Sequence, residues 1–371
     1  MRRGWRSGSN RRSSFAPKSV MWPRGCISCH RSGTPRSPRG CWAARGFLAS
    51  SRRLGRLASM KPKHLLTTAA FGVGALGGAM LVYGALVESK DLRVEEFDIP
   101  IADLPEEVEG LRVAVLGDFH LNHEPSIELA QRAVAAALDA DPDIIVLVGD
   151  LVSRWKALTP WMLGAVLEPL LVMGGAVIAV PGNHEYHGGS ADLLEPILDE
   201  FDIKLLRNER ISMKGIEWVG VDSFNEERAD LPKALGKHTA DEPRIVVWHE
   251  PDTVDLLPRG LAALQISGHS HGGQFRFPGG LIPMKTRNGE KYIEGFYPAA
   301  PTPLFVTRGV GTTGVPSRFL CPPQVAILTL ERAEAASIAS VTDLVLEAEP
   351  KSVESSPWSD AASTPSLPSG S

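Results

Sequence analysis

The globular part of the chain repeats one pattern. A continuous apolar run, rich in β-branched residues, stops abruptly at a glycine, a proline or a histidine and gives way to polar residues. "RVAVLGDFH" does this at Gly117, "DIIVLVGD" at Gly149, "AVIAVPGNHE" at Pro181, "RIVVWHEPD" at His249 and "AALQISGHSH" at Gly268. Apolar runs of this length predict strands buried on both faces. Between the first of them lie segments with helical spacing. These are "SIELAQRAVAAALDAD", with Ser126 as the expected N-cap, "TPWMLGAVLEPLLVM", and "SADLLEPILDEF", with Ser190 placed to cap it. Strand and helix in alternation predict an α/β layered fold, and such folds put their sites at the C-terminal ends of the strands.

Upstream the pattern changes. "LLTTAAFGVGALGGAMLVYGALV", Leu65 to Val87, carries no charge. As a helix rising about 1.5 Å per residue it would be roughly 35 Å long, enough to span a bilayer. Lys61, Lys63 and many arginines precede it, and Glu88, Asp91, Glu95 and Glu96 follow. By the positive-inside rule this predicts a single-pass cell-membrane protein with its N-terminus in the cytosol and its globular part on the extracytoplasmic side. A cleaved export signal is the rival reading, although no small-x-small pair ends the segment. Residues 1–59 hold many arginines and no Asp or Glu, and "MKPKHLL" at Met60 has the form of a protein start. The expectation is a basic, disordered extension that lies outside the translated protein. Residues 332–371, rich in Ser, Ala, Pro and Glu, are expected to be a disordered tail.

Composition narrows the function less than pattern does. Of 371 residues, 43% are hydrophobic and 22% charged, enough to bury one large core or two small ones. The net charge of −4 gives no reason to expect a nucleic-acid partner. Cys26, Cys29 and Cys41 lie in the basic head and Cys321 stands alone in the globular part, so no disulfide framework is expected there. Cys321 reads as a small buried hydrophobe.

The strand ends collect the chemistry. Asp118 and His120 follow the first run, Asp150 the second, Asn183 and His184 the third, His249 the fourth, and His269 and His271 the fifth. Carboxylate, imidazole and amide oxygen without thiolate suit Mn, Fe or Zn better than a structural zinc site. Seven ligands out of these eight residues would exceed one tetrahedral ion and match two ions that share a bridge. The glycines around "GHSHGG" imply a sharp bend or a close approach of the backbone.

Together "GDFH", "VGD", "PGNHE", the His249 after "RIVVW" and "SGHSHGGQ" resemble the signature series of calcineurin-like metallophosphoesterases, over about residues 111–331. The stretch "VTRGVGTTGVPSRFLCPPQVAIL" also resembles a bacterial subgroup of exported or membrane-anchored phosphodiesterases, whose relatives include UDP-2,3-diacylglucosamine hydrolase. The resemblance implies a four-layer αββα sandwich of two mixed β-sheets with a binuclear centre. It assigns Asp118, His120 and His271 to one divalent ion (Mn, Zn or Fe), Asn183, His249 and His269 to a second, and Asp150 to the bridge. It places His184 beside the substrate as a catalytic residue. Two cations so placed would neutralise a phosphodiester and lower the pKa of a bridging water, which would attack as hydroxide. Arg318, in "GVPSRF", is expected to clamp a phosphate, and His123 and His187 are candidates for the pocket wall. Ser153 departs from the pattern, because an acidic residue is frequent at that place in the family.

The activity expected is metal-dependent hydrolysis of a phosphodiester or pyrophosphate bond, on a small-molecule, envelope or lipid-linked substrate. A phosphomonoesterase or phosphoprotein phosphatase on the same centre is the alternative. A non-catalytic scaffold ranks lower, because every ligand type is retained.

Overall fold

The structure, a computed structural model, describes residues 62–102, 104–237 and 242–333. The expectations for residues 1–59 and for all but the first two residues of the 332–371 tail fall outside them. A long helix α1, Pro62–Leu86, comes first. Its stretch from Ala70 is apolar and long enough to cross a membrane, and Phe71, Val73 and Leu76 on it are exposed.

Two six-stranded sheets follow. The first runs in the order β1 (Arg93–Ala102), β12 (Gln324–Ala333), β2 (Arg112–Leu116), β3 (Ile144–Leu147), β4 (Val177–Ala179) and β5 (Ile203–Leu205). The second runs β10 (Gly295–Tyr297), β11 (Leu304–Val306), β9 (Leu264–Ser267), β8 (Arg244–Trp248), β7 (Ile216–Val221) and β6 (Glu209–Met213). Both are mixed. Strands β2 to β5 are parallel with β12 antiparallel to β2, and β11, β9, β8 and β7 are parallel with β6 and β10 antiparallel at the edges.

Alternation within the apolar runs explains the layering. Val113, Val115, Ile144 and Val146 point into the core between the sheets, where they meet Ile245, Val247 and Ile266 from the opposite sheet. Their neighbours Ala114, Leu116, Ile145 and Leu147 point the other way, onto the helices α2 (Glu124–Asp139) and α3 (Thr159–Leu167). Successive side chains in a strand face opposite sides, so a strand covered on both sides must be apolar throughout. Val246 and Trp248 face the outer side of the second sheet, where the short helix α4 (Leu231–Leu235) covers them. The order of layers is therefore helix, sheet, sheet, helix, with a thin last layer.

Three local features differ from the expectation. The fold begins before residue 111, because β1 pairs with β12 over its whole length and buries Ile99 and Ile101 between the sheets. Charged Glu95, Glu96 and Asp98 and the ring of Pro100 hide this strand from a search for apolar runs, as befits an edge strand. Helix α2 starts one turn early, at Glu124, with His123 as N-cap; Ser126 instead completes a reciprocal capping box with it. Helix α3 ends at Leu167, and a 3₁₀ turn, Glu168–Met173, continues past Pro169, which has no N–H to extend the α ladder.

Candidate metal centre

All the expected ligands lie in loops after strands: Asp118 and His120 after β2, Asp150 after β3, Asn183 after β4, His249 after β8, and His269 and His271 after β9. The two sheets thus bring their strand ends to one rim. Asp118, His120, Asp150, His269 and His271 have φ between 47° and 67°. Left-handed backbone costs a non-glycine residue about 1–3 kcal/mol, and such residues cluster where a site dictates the side-chain direction. Two glycines make room. A Cβ on Gly182 would stand 2.3 Å from Asp150 Oδ1, and one on Gly309, itself at φ 65°, 2.5 Å from the Asp118 Cβ.

Two clusters share Asp150. In the first, His120 Nε2 lies 2.9 Å from His271 Nε2, and Asp118 Oδ1 is 3.6 Å from the latter and 4.0 Å from the former. Burial holds His120 down to about 3 and His271 well below the ordinary histidine range, so both rings are neutral. In the second, the tautomers follow from the partners. His249 Nδ1 lies 2.6 Å from the Val148 carbonyl and His269 Nε2 2.8 Å from the Arg287 carbonyl, so those nitrogens donate. His249 Nε2 and His269 Nδ1 then face each other at 3.2 Å, with Asp150 Oδ2 3.2 Å from the former. Asp150 Oδ2 also lies 3.6 Å from His120 Nε2, which joins the two clusters.

A cation fits both clusters. Burial works against a charged His249, yet the carboxylates of Asp150, Asp118 and Glu250 hold its pKa well above the usual range. Burial likewise pushes Asp150 up, and His249 outweighs it and holds the carboxyl well below its usual range. Asp118 is pushed up to about 7 by burial. The Asn183 Oδ1 is buried and has no hydrogen-bond partner, as expected of an amide oxygen that ligates an ion. Asp118, His120 and His271 would hold one ion, and Asn183, His249 and His269 the other, with Asp150 between.

His184 borders this donor set, within reach of His120 and Asp150. Its ring meets His120 edge-on at 4.5 Å, its backbone N–H donates to Asp150 Oδ1 at 2.8 Å, and its Nδ1 lies 2.8 Å from the Ser153 carbonyl. Nδ1 therefore donates, and Nε2 is left for the cleft. Ser153 braces both residues, since its hydroxyl donates to the His120 carbonyl at 2.8 Å. His187 packs on His184 with ring centroids 4.4 Å apart and planes tilted by 53°, whereas His123 only caps α2. The cleft itself, about 220 Å³, is lined by Asp150, Asn183, His184, His269 and His271 together with Asn225, Thr286, Arg287 and Thr313. Arg287 is exposed and is the cation at this mouth. A larger cavity of about 330 Å³ shares none of these residues; its Arg207 pairs with Asp222 and Asp192.

Arg318 does not clamp a substrate. It is fully buried, and its donors go to the carbonyls of Gly311, Arg308, Gly309, His271 and Cys321. It braces the ligand loop from behind, beside a buried Cys321. Two supporting carboxylates were not singled out from sequence. Glu185 accepts the N–H groups of Gly182 (2.7 Å), Asp150 (2.9 Å) and Val152 (3.2 Å), and burial pushes its pKa up to about 7. Glu250 accepts the Ser223 hydroxyl at 2.7 Å and the Asn225 N–H at 3.1 Å, which sets Asn225 at the cleft. Each directly follows a histidine of the constellation, and that adjacency was the available signal.

Fold and donor set together are those of a metal-dependent phosphoesterase domain. The chain belongs to the calcineurin-like phosphoesterase family, whose model matches residues 111–273. It is 30% identical to an uncharacterized metallophosphoesterase of Aquifex aeolicus, over 66% of this chain and 94% of that one. It is 27% identical to a Danio rerio protein named transmembrane protein with metallophosphoesterase domain, over 79% and 69%. It is 28% identical to the phosphodiesterase YaeI of Escherichia coli, over 59% and 82%. The match spans 64% of the length of a Helicobacter pylori relative that is 31% identical.

Proposed function

We propose that this chain hydrolyses a phosphodiester or pyrophosphate bond in an envelope or lipid-linked substrate. In this reading α1 anchors it in the cell membrane with the cleft on the extracytoplasmic side. The observation that carries the reaction is Asp150, one carboxylate that joins two buried clusters of imidazole and carboxyl donors. Two divalent ions held there would offset the substrate's negative charge and make water a usable nucleophile near neutral pH. A donor set without thiolate favours Mn, Zn or Fe for that role.

The chain's own groups supply the rest. Arg287 at the mouth and the Asn225 amide suit the phosphoryl oxygens. His184, held by the Ser153 carbonyl, presents Nε2 to the cleft, where a leaving alcohol would need a proton. One relative named a phosphodiesterase supports the diester reading, and one named a transmembrane protein supports the anchor. The Lys and Arg before α1 support the orientation.

Purified full-length chain in detergent, reconstituted with Mn or Zn, should hydrolyse bis-p-nitrophenyl phosphate faster than p-nitrophenyl phosphate. The reverse preference would assign a phosphomonoesterase. A fusion after Leu330 tests orientation: alkaline phosphatase should be active there, and an active cytosolic reporter instead would reverse it.

A further inference from the structure

The last turn of α1 is seated on the loop that leaves the metal centre. Arg318 N–H donates to the Gly84 carbonyl at 3.4 Å and the Ser317 hydroxyl to the Leu81 carbonyl at 3.1 Å. That loop starts at the centre, where the Gly311 N–H donates to the Asp118 carbonyl at 2.7 Å, and it contributes Thr313 to the cleft. Cleft and helix end are thus two ends of one short segment. A second loop is tied to it. Gln274 binds Thr313 and Val315 through its amide, and Phe277 lies 6.0 Å from Phe319, whose other neighbour is Tyr83 of α1 at 6.4 Å.

This aromatic row leads outward onto unpaired apolar surface. The Phe277 N–H bonds to the Leu281 carbonyl, and Leu281 is 63% exposed, with Met284 at 50% nearby in sequence. On the first loop Val315 is 43% exposed and Leu320 52%; Leu320 holds a left-handed φ of 52°. A bulky residue kept outward at such an angle is strained and uncovered. Lone exposed apolar residues need no explanation, but four on two loops tied to each other and to the end of a membrane-length helix do.

Resting on the membrane anchor and phosphoesterase reading above, the geometry points to a bilayer-contacting face. The loops carrying Leu281, Met284, Val315 and Leu320 dip into the lipid surface beside α1 and hold the cleft mouth at headgroup level. The occupant of the patch is lipid, because the patch continues the apolar surface of α1 itself. The substrate class that follows is a phosphodiester in a lipid headgroup. Water adds across its P–O bond, and the products are a phosphomonoester and an alcohol, one of which stays in the membrane.

The full-length chain in phosphatidylethanolamine–phosphatidylglycerol nanodiscs tests this. A fluorophore on Leu281→Cys should be quenched by doxyl-labelled lipid and shielded from iodide, whereas one on Val172→Cys, on the helical layer, should show the opposite. Leu281→Asp with Met284→Asp should slow hydrolysis of a vesicle-borne headgroup diester roughly tenfold or more, and leave soluble bis-p-nitrophenyl phosphate within about twofold. Iodide quenching at Leu281→Cys without lipid quenching overturns the proposal, and so does an equal fall on both substrates. If the parent chain hydrolyses neither substrate, the catalytic reading fails, while the quenching result still decides the membrane contact.

Discussion

His249 Nε2 and His269 Nδ1 stand 3.2 Å apart, and each ring uses its other nitrogen toward a backbone carbonyl. Two acceptors aimed at each other beside the carboxylate of Asp150 need a positive charge between them. A proton on His249 meets that need without an ion, so metal and proton compete.

That competition gives a pH dependence with a defined sign. Asp118, pushed up to about 7 by burial, is ionised above that pH and neutral below it. Below 7, an incoming ion must expel its proton, so affinity falls as pH falls. His249 must also lose a proton, because the carboxylate of Asp150 holds the His249 pKa well above the usual histidine range despite burial. His120, held down to about 3, has none to lose. Calorimetric titration with Mn in buffers of different ionisation enthalpy should therefore show about one proton released per chain at pH 8 and about two at pH 6. Release that does not change between those pH values would refute the assignment of Asp118.

Asp150 serves both clusters and Asn183 only one. Asp150→Asn should bind less than the full complement of both ions and fall to background activity. Asn183→Ala should keep one site. A carboxylate shared between cations is worth several kcal/mol, so the rate of Asp150→Asn should lie at least about 100-fold below that of Asn183→Ala. Elemental analysis beside rate measurements checks this. Equal metal loss in the two variants would remove the bridge.

Most of the centre was legible because strand ends carry their own punctuation. The alternation Val113, Ala114, Val115, Leu116 feeds two cores, and the chain must leave both at Gly117; the ligands sit where it leaves. The φ of 50° at Asp150 was not legible, because nothing local demands it. Neither was the place of Arg318, since an arginine next to Ser317 in a Gly- and Pro-rich loop looks solvated. Its burial depends on five carbonyls that tertiary folding alone brings together. Strand β1 escaped notice for the opposite reason. Its outer residues are charged, and its pairing partner β12 lies at the other end of the described chain.

Arg318 should accordingly behave as a structural residue. Arg318→Ala leaves several buried carbonyls without donors, at about 1–3 kcal/mol each when unsatisfied, and a total of at least roughly 3 kcal/mol is expected. The melting temperature should fall by several degrees, and KM of the folded fraction should stay near that of the parent. An unchanged melting temperature with a raised KM would restore the phosphate clamp.

His184 directly follows Asn183, and its backbone N–H is tied to Asp150 while its ring is turned to the Ser153 carbonyl. With Nδ1 donating there, Nε2 alone faces the cleft, and the imidazolium form can hand its Nε2 proton to a departing oxygen, leaving the neutral ring. General acid help of this kind contributes roughly 10²–10⁴-fold. It matters most when the leaving group is a poor one such as an alkoxide, and little for p-nitrophenolate. His184→Ala should keep both ions, retain the parent's melting temperature within a few degrees, and lose rate. The loss should be larger for an alkyl phosphodiester than for bis-p-nitrophenyl phosphate. His120, His184 and Asp150 also lie close enough together to share an ion. If the variant instead loses an ion and slows equally on both substrates, His184 is a ligand rather than the proton donor.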